Sequence, residues 1–435
     1  MGRFLVAVSL IANSACTESA SNSSGHNDPD PATDSADPLP ATDAPDAVDE
    51  TDQLCQLALD CPILPTYGVR EPCSLRVTNQ AGDIEWDGPV DAWIRGRSSS
   101  QVAKPGYGIE LHDESGASVN ADLLGMGGES DWVIDGLYYD RLLVRDKLGY
   151  DLFRSWNPDN YAAESALCEL TRNGEYFGIH SLAERIKRDD DRVDIADGAE
   201  SGDAFVMAQI DHECFYTNTT TYGWWKLVSP PDDRLTAEGA DSLTRFLAGW
   251  EANVVAVNAG ADPAVLWTQA DMDSVVDTVI IEEFFKNEDS FYTSLHMWKD
   301  ESDTLRFTPW DLDMTFGQFP YYPYGNYGAW DVWIGYRPEL WSTFAGDPVF
   351  RAKLAARWAE LRAGSLDEAT FNAHLDQLEA ILGDALQRNL DRWPITDINY
   401  GGWFYEVNSY EDEDAHVRQW AHDRLLWMDE NIGNY

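Results

Sequence analysis

Basic residues are scarce in this chain. Thirty lysines and arginines stand against 77 aspartates and glutamates, a formal charge of −47 over 435 residues. Such a surface repels phosphate backbones and anionic lipid, which argues against nucleic acid as a partner and favours solubility. Long apolar runs are missing after the first dozen residues, so no later stretch qualifies as a transmembrane helix. There is no His-Glu-x-x-His motif, no Gly-x-Ser-x-Gly elbow and no P-loop, and the eight histidines are scattered. The six cysteines, Cys16, Cys55, Cys61, Cys73, Cys168 and Cys214, show no paired metal-site spacing.

What is present begins with an export signal. Arg3 supplies a positive charge, Phe4 to Ala12 form a short apolar core, and Asn13-Ser14-Ala15 precede Cys16. This reads as a bacterial lipoprotein signal over residues 1–16 with Cys16 lipidated, or as an ordinary secretory signal with a chance cysteine. Asn13 stands where lipoprotein signals usually carry Leu. Residues 17–52 are Ser, Asp, Pro, Ala and Thr without apolar periodicity, a disordered acidic tether. A folded domain over 53–435 follows. In an exported protein some of the last five cysteines form disulfides, but five is odd, so at least one stays free or pairs elsewhere.

The stretch from Phe284 to Gln318 organises the rest. An apolar helical run breaks at Lys286-Asn287-Glu288-Asp289, and two strand-like runs follow, Ser294 to Lys299 and Leu305 to Trp310, joined by the polar turn Asp300–Asp303. A hairpin returns to its start, so Asp289 and Asp311 meet at one end although 22 positions separate them. Clustered carboxylates repel unless a cation or proton lies between them, and oxygen-only ligands suit Mg²⁺ or Mn²⁺. Protein kinases use this layout, a base Asp before a hairpin and a metal-binding Asp with a nearby Gly after it.

Along the chain, strands dominate from about Ile63 to Leu111, at Trp132–Ile134, at Glu164–Leu170 and Tyr176–Leu182 around an Asn173-Gly174 turn, and at Ala204–Ile210 and Trp224–Val228. Between the early strands, the Gly- and Ser-rich turn Arg95–Ser100, with Arg97 and the following Lys104, can cradle an anion. Helical spacing covers Arg141–Phe153, Thr236–Ala256, two segments opened by Asp262 and Asp271, most of Pro348–Trp393, and His416–Ile432. Strands first and helices after, with one late hairpin, give an α+β fold.

Seven stretches, in order, resemble the CotH family of spore-coat-protein-H, kinase-like proteins. They are Arg95-Gly96-Arg97-Ser98; Lys104 to Leu111; Leu123–Met126 with Asp131-Trp132-Val133; Tyr139-Asp140 with Leu143-Val144-Arg145; Asn173–Gly178; Glu184–Asp189; and Trp310–Asp313 with Phe316-Gly317. The resemblance implies an atypical protein-kinase fold of two lobes, a β-rich N-lobe over about 63–215 and a mainly helical C-lobe over about 216–435. It also implies phosphorylation of Ser or Thr in secreted or surface proteins with ATP and Mg²⁺ or Mn²⁺. Asp289 matches the catalytic Asp, Asp311 the metal-binding Asp with Asp313 a second candidate, and Lys104 the phosphate-contacting lysine. Arg145 and Glu184 are candidates for orienting that lysine or the nucleotide, and Arg97 for binding it. Kinases carry a metal-ligating Asn five residues after the catalytic Asp; Ser294 stands there. Two rivals remain: a catalytically inactive kinase-shaped binding lipoprotein with exposed aromatic loops such as Phe319 to Trp333, and a transferase that moves a group other than phosphoryl.

Overall fold

A computed structural model describes residues 54–96, 98–210, 216–217, 224–291, 293–322, 326–334 and 339–435. Arg97, the Cys16 signal, the tether and Cys214 lie outside the described residues. The architecture is α+β, as expected. Seven strands close into a barrel in the order β1 (Cys55–Asp60), β2 (Glu71–Thr78), β3 (Ile84–Ile94), β4 (Tyr107–Leu111), β7 (Asp131–Asp135), β9 (Glu175–Glu184) and β8 (Ser165–Arg172). Strands β5 (Ala121–Asp122) and β6 (Gly128–Glu129) form a small separate ribbon.

Alternation builds the barrel. Leu57 and Leu59, Leu75 and Val77, Val90 and Ala92, Ile109 and Leu111, and Trp132 and Ile134 all point inward and are buried. The residues between them face out, as a period of two requires, except Val133, which is buried on the other face. The β8–β9 turn carries Asn173 (φ 51°) and Gly174 (φ 79°), the two left-handed positions that an Asn-Gly hairpin favours. Strand β1 starts earlier than Ile63 and is the one parallel partner, on β8. Two disulfides pin this seam: Cys55–Cys168 joins β1 to β8, and Cys61–Cys73 closes the β1–β2 connection. All four described cysteines are thus paired.

The chain leaves the barrel at Glu184. A second sheet, in the order β11 (Tyr216–Thr217), β12 (Trp224–Ser229), β10 (Phe205–Ile210), β13 (Leu295–Lys299) and β14 (Leu305–Pro309), contains the expected hairpin in register Leu295↔Pro309 to Lys299↔Leu305. Seven α-helices accompany it among the described residues: α1 (Arg145–Trp156), α2 (Ala237–Asn258), α3 (Met272–Phe285), α4 (Glu339–Gly346), α5 (Pro348–Arg362), α6 (Glu368–Arg392) and α7 (Tyr410–Asn431). Helix α3 is buried all round from Ser274 to Phe285, Asp277, Glu282 and Glu283 included, and forms the centre of the larger core with Phe316, Trp358 and Phe371 around it. Asp271 caps it through the N–H groups of Asp273 and Ser274.

Two helix starts differ from the periodicity. Helix α1 begins at Arg145 rather than Arg141, because Leu143 is left-handed (φ 67°) and the Asp140 carboxylate accepts from the N–H groups of Leu142 and Arg145, which holds that segment in a turn. Helix α7 begins six residues before His416, where the Ser409 hydroxyl accepts from Asp412 N and three acidic residues fill the first turn.

Candidate active site

The site forms where the hairpin returns. Helix α3 ends at Lys286, a non-glycine residue in the left-handed region (φ 54°, ψ 54°), and that turn sends the chain to Asp289. Such a conformation costs about 1 kcal/mol or more and persists where surrounding contacts hold it. Here the buried Lys286 ammonium pairs with Glu288 and donates to Asn326 O at 2.6 Å. At the other end of the hairpin Asp311 is also left-handed (φ 65°). Its N–H donates to the Tyr150 hydroxyl at 3.0 Å, and the next N–H, Leu312, to Asp146 Oδ1 at 2.6 Å. Asn287 Nδ2 reaches Asp311 O at 3.3 Å, tying the Asp289 loop to the Asp311 loop.

Helix α1 can supply Asp146 and Tyr150 only because it approaches closely. Gly149 faces the Asp-Leu-Asp turn, and a Cβ there would sit 2.2 Å from Leu312 Cδ1 and 3.1 Å from Phe285 Cε1. Tyr150 stacks on Trp310 at 5.8 Å between ring centroids.

The carboxylates crowd one another. Burial first, then the charges of Asp311 and Glu288, push Asp289 up to about 6. Asp311 is raised by burial and by Asp135, against the opposing pull of Ser294 and Arg95. Asp313 is held well above the carboxylate range by burial, Asp311, Asp146, Asp135 and Asp140 in that order, and Asp146 by burial, Asp135, Asp311 and Asp140. Asp311 is nevertheless exposed and Asp289, Asp313, Asp135 and Asp146 are half-buried, the situation of a cleft wall rather than a core. Asp313 Oδ1 has no hydrogen-bond partner. A cation fits this set: it relieves the repulsion and takes up the unpartnered oxygen. No three of these oxygens already lie within 4.8 Å of one another as a closed ligand set. Mg²⁺ uses one or two carboxylates and keeps its remaining positions for water and phosphate, so it needs no such set.

The barrel contributes the cationic side. Cross-strand pairs Ile94↔Tyr107 and Tyr107↔Ile134 put Arg95, Lys104 and Asp135 at one barrel end. Lys104 is buried; its Nζ donates to Asn389 Oδ1 at 3.3 Å. Burial lowers its pKa to about 7, against the opposing charges of Asp135 and Asp140. Arg95 lies over the Trp310 ring at 5.3 Å with Nη1 shielded from solvent and without a hydrogen bond. A cavity of about 350 Å³ opens beside it, lined by Arg185, Ile186, Ala208, Lys226, His296 and Trp310 among others. That lies within the size range of small-ligand pockets.

Asp289, Asp311 and Asp313 are thus gathered at one place, whereas Lys104 adjoins them only through Asp135 and Asp140, which act on both it and Asp313. Arg145 and Glu184 are not directed to the lysine. Arg145 is fully buried between Asp140 (2.7 Å) and Glu413 (2.5 Å), so it reaches Lys104 only through the shared Asp140. Glu184 stands opposite Trp132, three positions along β7 from Asp135, and its carboxylate accepts from Tyr161 and from Glu164 N. Sequence reasoning missed Asp135, Asp146 and Tyr150. Asp135 ends a buried strand and Asp146 begins a helix; neither position carries a local sign of the cluster.

An α+β protein with a barrel-edge cavity lined by cationic side chains and a carboxylate cluster at the neighbouring hairpin end is the class this geometry defines. The family model described as CotH kinase protein matches residues 92–428, and the chain belongs to that family. No curated protein matches the chain.

Proposed function

We propose that the protein is an exported, ATP-dependent kinase of Ser and Thr residues in secreted or surface proteins. In this reading the barrel and the helical remainder act as the N-lobe and C-lobe of a kinase-like fold. The observation that supports it best is the return of the β13–β14 hairpin, which sets Asp289 beside Asp311, with Arg95 acting on Asp311 from the rim of a cavity that Arg185, Lys226 and Trp310 also line.

The Asp289 carboxylate accepts the proton of the acceptor hydroxyl. Its ionised form predominates at neutral pH, because the value of about 6 lies below 7. Arg95, with an unpartnered shielded N–H and the flat face of Trp310 beneath it, contacts the nucleotide phosphates. Asp311 and Asp313 are the residues that would hold Mg²⁺ or Mn²⁺, which would neutralise phosphate charge there. Asn287, Tyr150 and Asp146 keep the two acidic loops in register, and alignment of this kind provides much of the acceleration in phosphoryl transfer. The disulfides agree with an oxidising compartment outside the cytoplasm, and anchoring through Cys16 completes the proposed setting in the cell envelope.

Two departures favour a second reading, nucleotide binding without phosphoryl transfer. Ser294 replaces the usual Asn and spends its hydroxyl on Asp311 Oδ2 at 3.2 Å, and Lys104 bonds an amide rather than a carboxylate. Residues 53–435 incubated with labelled ATP, Mg²⁺ or Mn²⁺ and a Ser-rich acceptor separate the readings. Label transferred by the wild type but not by Asp289→Ala supports the kinase. Nucleotide-dependent stabilisation without label supports the second reading. Neither signal overturns both.

A further inference from the structure

A second candidate centre lies on the outer wall of the barrel, away from the acidic loops. Asp91 on β3 and Glu110 on β4 stand directly opposite each other across the antiparallel pair, and His112 follows two residues on. One ligand atom from each of the three lies within 4.8 Å of the others. His112 Nε2 is 3.4 Å from Asp91 Oδ2. Both ring nitrogens of His112 are shielded from water, and neither makes a hydrogen bond. Directly opposed like charges destabilise a strand pair unless something cationic joins them. Arg70 does part of this: it pairs with Glu110 while lying over Trp93 at 4.2 Å. The other Glu110 oxygen accepts from Ser118. Among the described residues, Asp91 and the imidazole have no such cation.

We infer that Asp91, Glu110 and His112 form a binding site for a divalent transition-metal ion. One imidazole and two carboxylates suit Zn²⁺ or Mn²⁺ and disfavour Mg²⁺, which prefers oxygen alone. Bonds of about 2.0–2.2 Å allow ligand atoms up to about 4.2 Å apart, so small side-chain rotations close the set. The ion cross-links β3 to β4 three residue pairs from Ile94↔Tyr107, the end that carries Arg95. The site is independent of the proposed kinase activity.

The test is Zn²⁺ titration of the metal-stripped full chain by calorimetry, with excess Mg²⁺ present to occupy the cleft carboxylates. Metal-free unfolding of each variant is measured in parallel. Wild type binds one Zn²⁺ that His112→Ala and Asp91→Asn each lose, with the accompanying rise in Tm, while their metal-free Tm stays near wild type. Asp311→Asn retains it. Arg70→Ala, which removes the competing cation, binds Zn²⁺ several-fold tighter. Equal Zn²⁺ stoichiometry and affinity in wild type, His112→Ala and Asp91→Asn overturns the inference, as does weaker binding by Arg70→Ala.

Discussion

Gly149 offers a direct test of how α1 supports the acidic loops. Replacing it with Ala has two opposed effects. Removing a glycine from a helix interior stabilises by about 0.8–1 kcal/mol. The added methyl, however, would lie 2.2 Å from Leu312 Cδ1, more than 1 Å inside the usual contact distance of about 3.5–4.0 Å. Overpacking of this degree costs on the order of 1–3 kcal/mol. Gly249, in the middle of α2 with nothing within 4 Å of its would-be Cβ, is the internal control. Gly249→Ala is expected to stabilise by about 0.5–1 kcal/mol. Gly149→Ala is expected to fall about 1–3 kcal/mol below it. One kcal/mol moves the Tm of a domain this large by only about 1–2 °C, so denaturant midpoints are the better assay. Because Leu312 lies between Asp311 and Asp313, Gly149→Ala also shrinks the Mg²⁺-induced stabilisation, whereas Gly249→Ala leaves it intact. Equal stabilisation by the two substitutions, with an unchanged Mg²⁺ response, would refute the close approach of α1 to the acidic turn.

Further expectations follow from the site and the barrel. Asp289 is raised to about 6, so its protonated form grows as pH falls; phosphate transfer at saturating nucleotide declines below about pH 6, and a pH–rate profile flat from 7 down to 5 would contradict its role as base. Lys104 has its folded pKa lowered to about 7 from 10.5, so the folded state disfavours its charge. The penalty is full below about 7 and vanishes as pH rises toward the unfolded value. Wild type therefore gains stability relative to Lys104→Met between pH 7 and 10, and parallel pH–stability curves would contradict the burial. Cys55–Cys168 spans 113 residues, so Cys55→Ala/Cys168→Ala loses about 2–5 kcal/mol, read as a shift of the denaturant midpoint without reductant. Asn287→Ala cuts the tie between the acidic loops; it is expected to lower transfer at least tenfold with a stability loss of only about 1 kcal/mol, measured by labelling and by chemical denaturation.

Local pattern was enough for much of this protein. Alternation marked β2 and β3, a short apolar run marked β7, the Asn173-Gly174 pair marked the β8–β9 hairpin, and Asp262 and Asp271 marked two helical starts, because each signal acts over a few adjacent residues. The hairpin between Asp289 and Asp311 was legible for the same reason: register follows from a short turn. Family motifs supplied Lys104 and Asp313. Contacts made by chain segments far apart were not legible. The closure of β1 on β8, 113 residues away, the meeting of Asp135 and Asp146 with Asp311, and the capture of Arg145 by Glu413, 268 residues on, depend on how whole layers pack. Sequence alone thus determined the kinds of element, the family and two of the acidic loops. Only the tertiary structure decided which charges neutralise one another in the core and which stay open to a ligand, because that choice is set by burial and by distances through space that no local spacing encodes.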